Sequence, residues 1–331
     1  MDSNSAVGDR TDVAAVHRIE FDVDWPPGFA SVFVLDGAEP VLVDAGMPGA
    51  ENEQVFRAAL ADIGLTPGEI AHVVITHPHV DHLGLVDTLR EAGDPVVYAP
   101  RSYRKRLHRP IEAVRESTVA TVREVGVPDE MVEYAVDAAL DRRRTIRELL
   151  EPEWVDEWID DGQRFSAGDR AFTALATPGH HRDHLCFRVD LGSERALFSG
   201  DMALSTFRTP VLHAYFQPEQ RVGVRAYHEA LDALADRRVD RVYPGHGPVH
   251  DDLEAAIETA RSSLDRLCDR TETTLRESGT HAVHVASERV DDVSSGPWIP
   301  EAVAALAQLE REGRAESRLE DGVRLYTPAH S

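Results

Sequence analysis

Ile70-Ala-His-Val-Val-Ile-Thr76 runs directly into His77-Pro-His79-Val-Asp81-His82, and the reading of the chain turns on this stretch. The apolar run predicts a buried strand, which puts the polar cluster on the loop at its end. In extended chain, residues two apart point the same way. His77 and His79 can therefore face one ion, with Pro78 stiffening the turn between them. Asp81 and His82 follow where the next helix would start and can face a second ion. Imidazole and carboxylate together suit zinc and similar borderline metals. A His-x-His pair alone is a weak motif, so the rest of the chain must carry the argument.

The chain has 331 residues, which implies one large core plus an accessory unit. Hydrophobic residues make up 42%, enough for a real core. No apolar run approaches the roughly 18–20 residues of a membrane span, so no membrane partner is expected. Residues 1–11 are polar and lack the apolar run of a secretory signal, which makes the cytoplasm the expected location. Two cysteines, Cys186 and Cys268, form no disulfide framework or Cys-rich metal site and read as small buried apolar groups. The net charge is −24, and Lys105 is the single lysine. Acidic residues spread over every segment, which reads as a solvation shell suited to high salt rather than as one docking surface. At molar salt the Debye length is only about 3 Å, so the self-repulsion is screened. The composition resembles that of halophilic proteins.

Short β-type runs at 17–23, 31–36 and 41–44 open the chain, followed by a helical pattern at 51–63. The strand at 70–76 leads to a helix expected over 81–92 and a strand over 95–99. Residues 101–161 then read as continuously helical, with pieces at 111–125, 129–150 and 153–159. Strand patterns return at 172–176, 185–189, 196–199 and 241–243, with a helix at 219–235. The two strand-rich parts look like two halves of one sandwich, each sheet covered by helices. Beyond His250 come helices at 253–277 (stopped by Gly279), 283–288 and 298–312, then a hairpin around Asp321-Gly322. Helix, helix, helix and two-stranded wing is a winged-helix pattern.

Three more clusters fall at strand ends: Thr177-Pro-Gly-His180, Ser199-Gly-Asp201 and Pro244-Gly-His246-Gly. Each sets a His or Asp beside Gly, which permits a sharp turn and close backbone approach. Together with Val41-Leu-Val-Asp44-Ala-Gly and Thr76-His-Pro-His-Val-Asp-His-Leu-Gly84, they make the chain resemble the metallo-β-lactamase superfamily over residues 17–250. The resemblance implies an α/β fold, an αβ/βα sandwich with a metal site at one edge of the two sheets. It implies one metal on His77, His79 and His180, a second on Asp81, His82 and His246, and Asp201 bridging them. Two Zn2+ ions are the expected cofactors, with iron or manganese as alternatives. Two such cations, about 3.5–4 Å apart, clamp attacking and leaving oxygens. Asp81 and Asp201 are the expected catalytic residues. Asp44 is expected to orient a ligand histidine through its outer nitrogen, and His184 to line the site or cap its loop. His181 and His72 are assigned solvated or packing roles.

Two departures narrow the branch. Leu85 stands where the superfamily usually has Gly, which affects helix packing. Asp201 stands where class B1 β-lactamases use Cys, which points away from β-lactams and towards glyoxalase II-like and nuclease-like branches. The layout expected is a disordered tail at 1–12, a metallo-β-lactamase-fold domain at 13–250 with a helical insert at 101–161, and a winged-helix-like domain at 251–331. That last unit resembles the tail of the lactamase-β-like 2 branch.

The expected reaction is hydrolysis of a small-molecule thioester or related acyl ester by metal-bound hydroxide. The alternatives are single-strand RNA cleavage and a winged-helix regulator that binds nucleic acid. Residues 101–109 hold five cations and no acid, so Arg101, Arg104 and Arg106 are candidate substrate contacts, with His213 as an outside candidate. Arg142-Arg-Arg144 and Arg147 add a second basic patch, and the cations of the insert pair equally well with neighbouring acids such as Asp141 and Glu148. Residues 251–331 carry 9 arginines against 17 acids, a poor surface for phosphate. That unit reads instead as a packing or substrate-shaping module, or a homodimer contact.

Overall fold

A computed structural model describes residues 15–278, 280–293 and 296–329. The expected tail at 1–12 and the Gly279 helix stop lie outside the described residues.

Strands β1 (Val16–Asp22), β2 (Phe29–Leu35) and β3 (Val41–Val43) pair antiparallel in succession. Helix α1 (Ala50–Asp62) leads to β4 (His72–Val74), parallel to β3. Helices α2 (Val80–Leu83) and α3 (Val86–Ala92) precede β5 (Val96–Pro100), parallel to β4. The chain then leaves the sheet through α4 (Arg101–Leu107), α5 (Ile111–Glu124) and α6 (Asp129–Leu149). It returns as β6 (Glu157–Ile159) beside β5, closing a six-stranded sheet.

A second, five-stranded sheet has the order β11-β10-β9-β8-β7. Its strands are β7 (Arg164–Ala167), β8 (Arg170–Ala176), β9 (Leu185–Asp190) and β10 (Arg195–Gly200), then, after α7 (Gly223–Ala235), β11 (Arg241–Pro244). Helices α8 (Leu253–Ser278), α9 (Ala282–Ser287) and α10 (Trp298–Arg311) follow, with a hairpin of β12 (Ala315–Glu320) and β13 (Val323–Pro328). Asp321 and Gly322 have φ of 49° and 84°, as a two-residue type I′ turn requires.

The period-2 alternation of the strands sorts side chains into layers. Phe33, Leu35, Val41 and Val43 face inward and meet Phe172, Phe187 and Phe198 of the second sheet. Val32, Val34 and Leu42 point the other way, against Phe56 and Leu60 of α1 and Leu89 of α3. The outer face of the second sheet, with Leu197 and Val242, packs on α7, α8 and α10. The result is helix, sheet, sheet, helix. Val122 of α5 and Val132 and Val136 of α6 belong to the same outer cluster as Val303 and Leu306 of α10. The insert and the C-terminal helices thus share one apolar body. Arg324 of β13 adds an ion pair with Glu124 of α5 at 2.5 Å.

Three local expectations differ from the structure. Residues 153–159 are not helical: a 3₁₀ turn, Pro152–Trp154, precedes β6. Trp158 and Ile159 fall in different clusters on opposite faces, as in a strand buried on both sides. Asp156 secures the edge by accepting from the Val97 amide at 2.9 Å. The expected helix over 81–92 is split. Gly84 and Leu85 donate their amides to Gly46 and Ala45 (2.7 and 2.9 Å), so the backbone is held by the loop after β3 instead of by the preceding turn. Strand β7 is an addition to the expected set, although the Gly168-Asp169 pair before β8 marks the hairpin. Among the described residues, no helix is long and apolar enough to cross a membrane.

A Cβ at Gly84 would collide with the backbone of Met47 and Pro48. Gly84→Ala should therefore destabilise the protein by ~2–3 kcal/mol, seen as a lower denaturant midpoint at an unchanged slope.

Candidate metal centre

The polar clusters meet because both sheets end at the same edge. His77 and His79 follow β4, Asp81 and His82 open α2, His180 follows β8, Asp201 follows β10 and His246 follows β11. Backbone hydrogen bonds tie the two sheets together there. Leu185 donates to the Thr76 carbonyl at 2.9 Å, and Ser31 to the Gly245 carbonyl at 2.7 Å.

The side chains form two groups, each with donor atoms within 4.8 Å of one another: His77, His79, His180 and Asp201, and Asp81, His82 and His246. Asp201 reaches both. Its Oδ2 lies 3.1 Å from His180 Nε2 and 3.9 Å from His77 Nε2. Its Oδ1 lies 3.2 Å from His82 Nε2 and 3.4 Å from His246 Nε2. Asp81 Oδ2 is 3.1 Å from His246 Nε2.

The outer ring nitrogens set the tautomers. His180 Nδ1 donates to the Pro210 carbonyl at 2.9 Å and His246 Nδ1 to the Phe29 carbonyl at 2.8 Å. His82 Nδ1 donates to Asp44 Oδ2 at 2.8 Å. Asp44 also accepts from the Thr76 amide and hydroxyl, both at 2.8 Å. The same hydroxyl, its proton committed to Asp44, accepts from His77 Nδ1 at 3.0 Å. These contacts fix a proton on Nδ1 of each of the four rings and turn Nε2 inward, where metal ligation would need it free. His79 differs: its Nδ1 faces His77 and His180, at 3.0 Å from each Nε2.

The electrostatics divide the rings in two: the carboxylates raise His82 and His246, while the rest are lowered. Burial, then the neighbouring imidazoles, holds His77 and His79 well below the usual histidine range, so both stay neutral. Burial also opposes the charge on His246, but Asp201 and Asp81 outweigh it and raise the group to about 9. The reverse holds for Asp81, where burial is overcome by His82 and His246 and the carboxyl drops to about 2. Buried carboxylates here demand a cation. His82 Nε2 and Asp201 Oδ1 are buried, adjacent and without a hydrogen bond. A converging set of imidazole nitrogens and carboxylate oxygens, in which a metal ion would displace the protons that the carboxylates hold on His82 and His246, fits divalent ions of the zinc type.

Behind the ligands, His184 accepts the Asp201 amide on Nε2 at 3.1 Å and donates Nδ1 to Thr177 at 2.8 Å. Burial lowers it to about 3, so it stays neutral and pins the Asp201 loop. The loop after Asp201 is anchored from the C-terminal helices. Glu301 of α10 accepts from Arg208 at 2.7 Å, the Val211 amide at 3.2 Å and Arg289 at 2.9 Å. Thr209 in this loop donates to the Asp201 carbonyl at 2.6 Å, and Pro210 is the residue that orients His180.

A cavity of about 440 Å3 opens over the ligands, walled by Ile146, Phe207, Leu212 and Tyr215 and by Pro297 from the C-terminal segment. Arg142 and Thr145 of α6 also line it, so the insert does overhang the metal edge. Of the arginines singled out in the sequence, Arg106 lines a smaller adjoining cavity, together with His213. Arg101 is turned away, bonded to Asp160 at 2.6 Å and to the Trp158 carbonyl at 2.5 Å. Arg104 lies over the Trp158 ring at 5.8 Å. Neither lines either cavity. His72 packs beside Tyr98. His181 is buried with its ring centroid 4.9 Å from that of His79, closer to the site than its sequence position suggested. Arg142, from the second basic patch, reaches the cavity, whereas Tyr215 carries no motif and only the fold brings it there.

The profile of the Metallo-beta-lactamase superfamily matches residues 25–246, and the chain belongs to that family. It is 28% identical over 225 residues to the beta-lactamase-like protein 2 homolog of Caenorhabditis elegans, covering 67% of this chain and 57% of that one. It is 24% identical over 310 residues to an atrochrysone carboxyl ACP thioesterase of Emericella nidulans, covering 90% and 80%. The chain spans little more than half the length of the curated relatives it matches first. The crystal structure of a metallo-beta-lactamase family protein from Thermus thermophilus superposes with a TM-score of 0.75 at 21% identity, over 95% of this chain and 98% of that one.

Two outcomes follow from this geometry. Asp44→Asn should lower metal affinity about 10–100-fold while the fold persists, because the carboxylate orients His82 and Thr76; competition with a chelator measures it. Glu301 titrates below the ordinary glutamate value of 4.5, because Arg208 and Arg289 outweigh the opposing effect of its burial. Its depressed pKa contributes stability above the unfolded value, and that contribution is lost as pH falls through the folded value. Glu301→Gln should therefore cost on the order of 3 kcal/mol at pH 7. The gap to the unmodified protein should shrink in denaturant titrations below about pH 4.5.

Proposed function

We propose that this chain is a metal-dependent hydrolase that cleaves thioesters or related acyl esters with two divalent cations, zinc foremost. The observation that carries the reading is Asp201, whose two oxygens serve two separate imidazole groups. When bound, such a pair supplies a hydroxide at neutral pH and a positive clamp for the developing oxyanion. His77, His79 and His180 would hold one ion, Asp81, His82 and His246 the other, and Asp201 both.

The chain's own residues supply the rest. Asp81 is ionised and lines the cavity. Its carboxylate can accept a proton from the attacking water and return it to the departing thiolate or alkoxide. Phe207, Leu212 and Ile146 exclude water around an acyl group. The likeness to a named thioesterase over 90% of the chain supports the acyl assignment. We read residues 251–331 as a winged-helix-like module that shapes the cavity. Pro297 lines it, Glu301 anchors its loop, and 17 acids against 9 arginines suit neither DNA nor RNA. The acidic, arginine-based surface is read as adaptation to high salt.

Metal analysis and a panel of acyl thioesters, run beside single-stranded RNA at high salt, test the reading. Bound zinc and thioester turnover are expected. Asp201→Ala and His79→Ala should each lower kcat/KM by at least about 10²–10³-fold. RNA cleavage that disappears in His79→Ala, with no thioester turnover, would replace the proposal with a nuclease. Full activity in Asp201→Ala would overturn the two-metal arrangement.

A further inference from the structure

The smaller cavity is a side arm of the metal cavity. It holds about 110 Å3 and shares His79, Arg142 and Tyr215 with the larger space. Four arginines line it, Arg106, Arg109, Arg142 and Arg143, and no acidic residue does. This is unexpected in a chain of net charge −24.

Three of the four, Arg109, Arg142 and Arg143, have no ion pair among the described residues. Arg106 faces Asp183, buried behind the wall, at 2.6 Å. Arg143 spends its contacts on the carbonyls of Arg106, Leu107 and Arg109. Arg109 donates to an amide oxygen, Gln217 Oε1, at 3.1 Å, and its charge also reaches Glu219. That oxygen is held in place by Ser117, and its amide nitrogen by Thr118. Arg142 lies over the Tyr215 ring at 4.6 Å. Burial, then the charge of Arg106, pulls Arg143 below the usual arginine range, as expected for crowded cations.

Three further groups on the same walls are buried and, among the described residues, have no hydrogen-bond partner: Tyr103 Oη, Arg106 Nε and His213 Nδ1. All can donate. The loop that presents two of the walls is held in unusual conformations, with positive φ at His213, Tyr215 and Phe216. Such strain is kept where the surroundings enforce it. Buried donors and unpaired cations are costly unless an anion completes them, and planar guanidinium forks suit carboxylate and phosphate.

We infer that this arm binds an anionic group, a carboxylate or phosphate, carried on the acyl part of the substrate a few bonds from the scissile carbon. The inference rests on the hydrolase reading for its location relative to the reaction. The arm lies one imidazole, His79, from the ligand cluster. Its small volume admits a compact acidic head and not a nucleotide. The larger cavity reaches the exposed Trp25 and takes the leaving group. The chain would thereby select acidic acyl esters over neutral ones of the same length.

The test compares succinyl and butyryl thioesters of one neutral thiol, together with the butyryl thioester of phosphopantetheine, on the metal-loaded protein. The succinyl substrate should be preferred at least tenfold in kcat/KM. Arg109→Gln should erase that preference through KM, with butyryl turnover unchanged within about twofold. Arg142 also lines the main cavity, so Arg142→Gln should cost the succinyl substrate at least tenfold more in kcat/KM than the butyryl one. Arg142→Lys should retain part of the preference. Calorimetric binding of succinate and of inorganic phosphate should weaken at least tenfold in the same Gln variants. Equal losses on both acyl groups, no succinyl preference, or succinate binding untouched by the variants would overturn the inference. A preference that appears only with the phosphate-bearing thiol would move the anion to the leaving group and overturn the acyl placement. If no thioester is hydrolysed while succinate binding still depends on Arg142 and Arg109, the arm stands and the hydrolase reading fails.

Discussion

Two buried carboxylates, Asp81 and Asp201, sit among five imidazoles at the edge of a sandwich, and an arrangement of that kind is tolerable only when positive charge, from imidazolium or a metal ion, faces them. Much of the architecture around them answers to this constraint. The outer nitrogens of the ligand histidines are taken up by carbonyls and by Asp44, which leaves lone pairs converging. Asp44 itself adopts a positive φ of 61° at the end of β3 to reach both Thr76 and His82. The split between α2 and α3 has the same origin. Backbone groups that would continue a helix are instead bonded to the loop beside Asp44.

The segments outside the two sheets are joined to this edge, not appended to it. Helix α6 supplies Arg142, Thr145 and Ile146 to the cavity wall, and α10 supplies Glu301 to the loop that orients His180. One apolar cluster runs from the insert through α7 to α10. A change in the packing of the C-terminal helices therefore reaches the ligands through Thr209 and Pro210, two residues bonded directly to Asp201 and His180.

Most of the framework is legible in the chain because its signals are local. Strands β2, β3 and β10 announce themselves by alternating or continuous β-branched and aromatic runs, and the Asp321-Gly322 turn by its dihedral requirement. The ligand clusters are legible because each lies at a strand end beside Gly or Pro. Strand β6 reads as helix in the sequence because three residues at a sheet edge carry too little periodicity. Its pairing with β5 across the whole insert decides its form. Among the candidate substrate contacts, Arg101 and Arg104 look equivalent to Arg106 in a run of cations. Partners far along the chain separate them: Asp160 and Trp158 for the first two, Asp183 and His181 for the third.

The family resemblance supplied the division of the candidate ligands into two sets around Asp201; the sequence by itself determined which residues could ligate and that the chain folds as a layered α/β sandwich. Those properties follow from residue type and short-range spacing. Only the tertiary structure decided which cations face the reaction and which face solvent. It placed Arg106, Arg109, Arg142 and Arg143 around one acid-free arm, and it turned Glu301 from a helix residue into the support of a metal-site loop. Contacts of that kind join residues separated by scores of positions, and no local period encodes them.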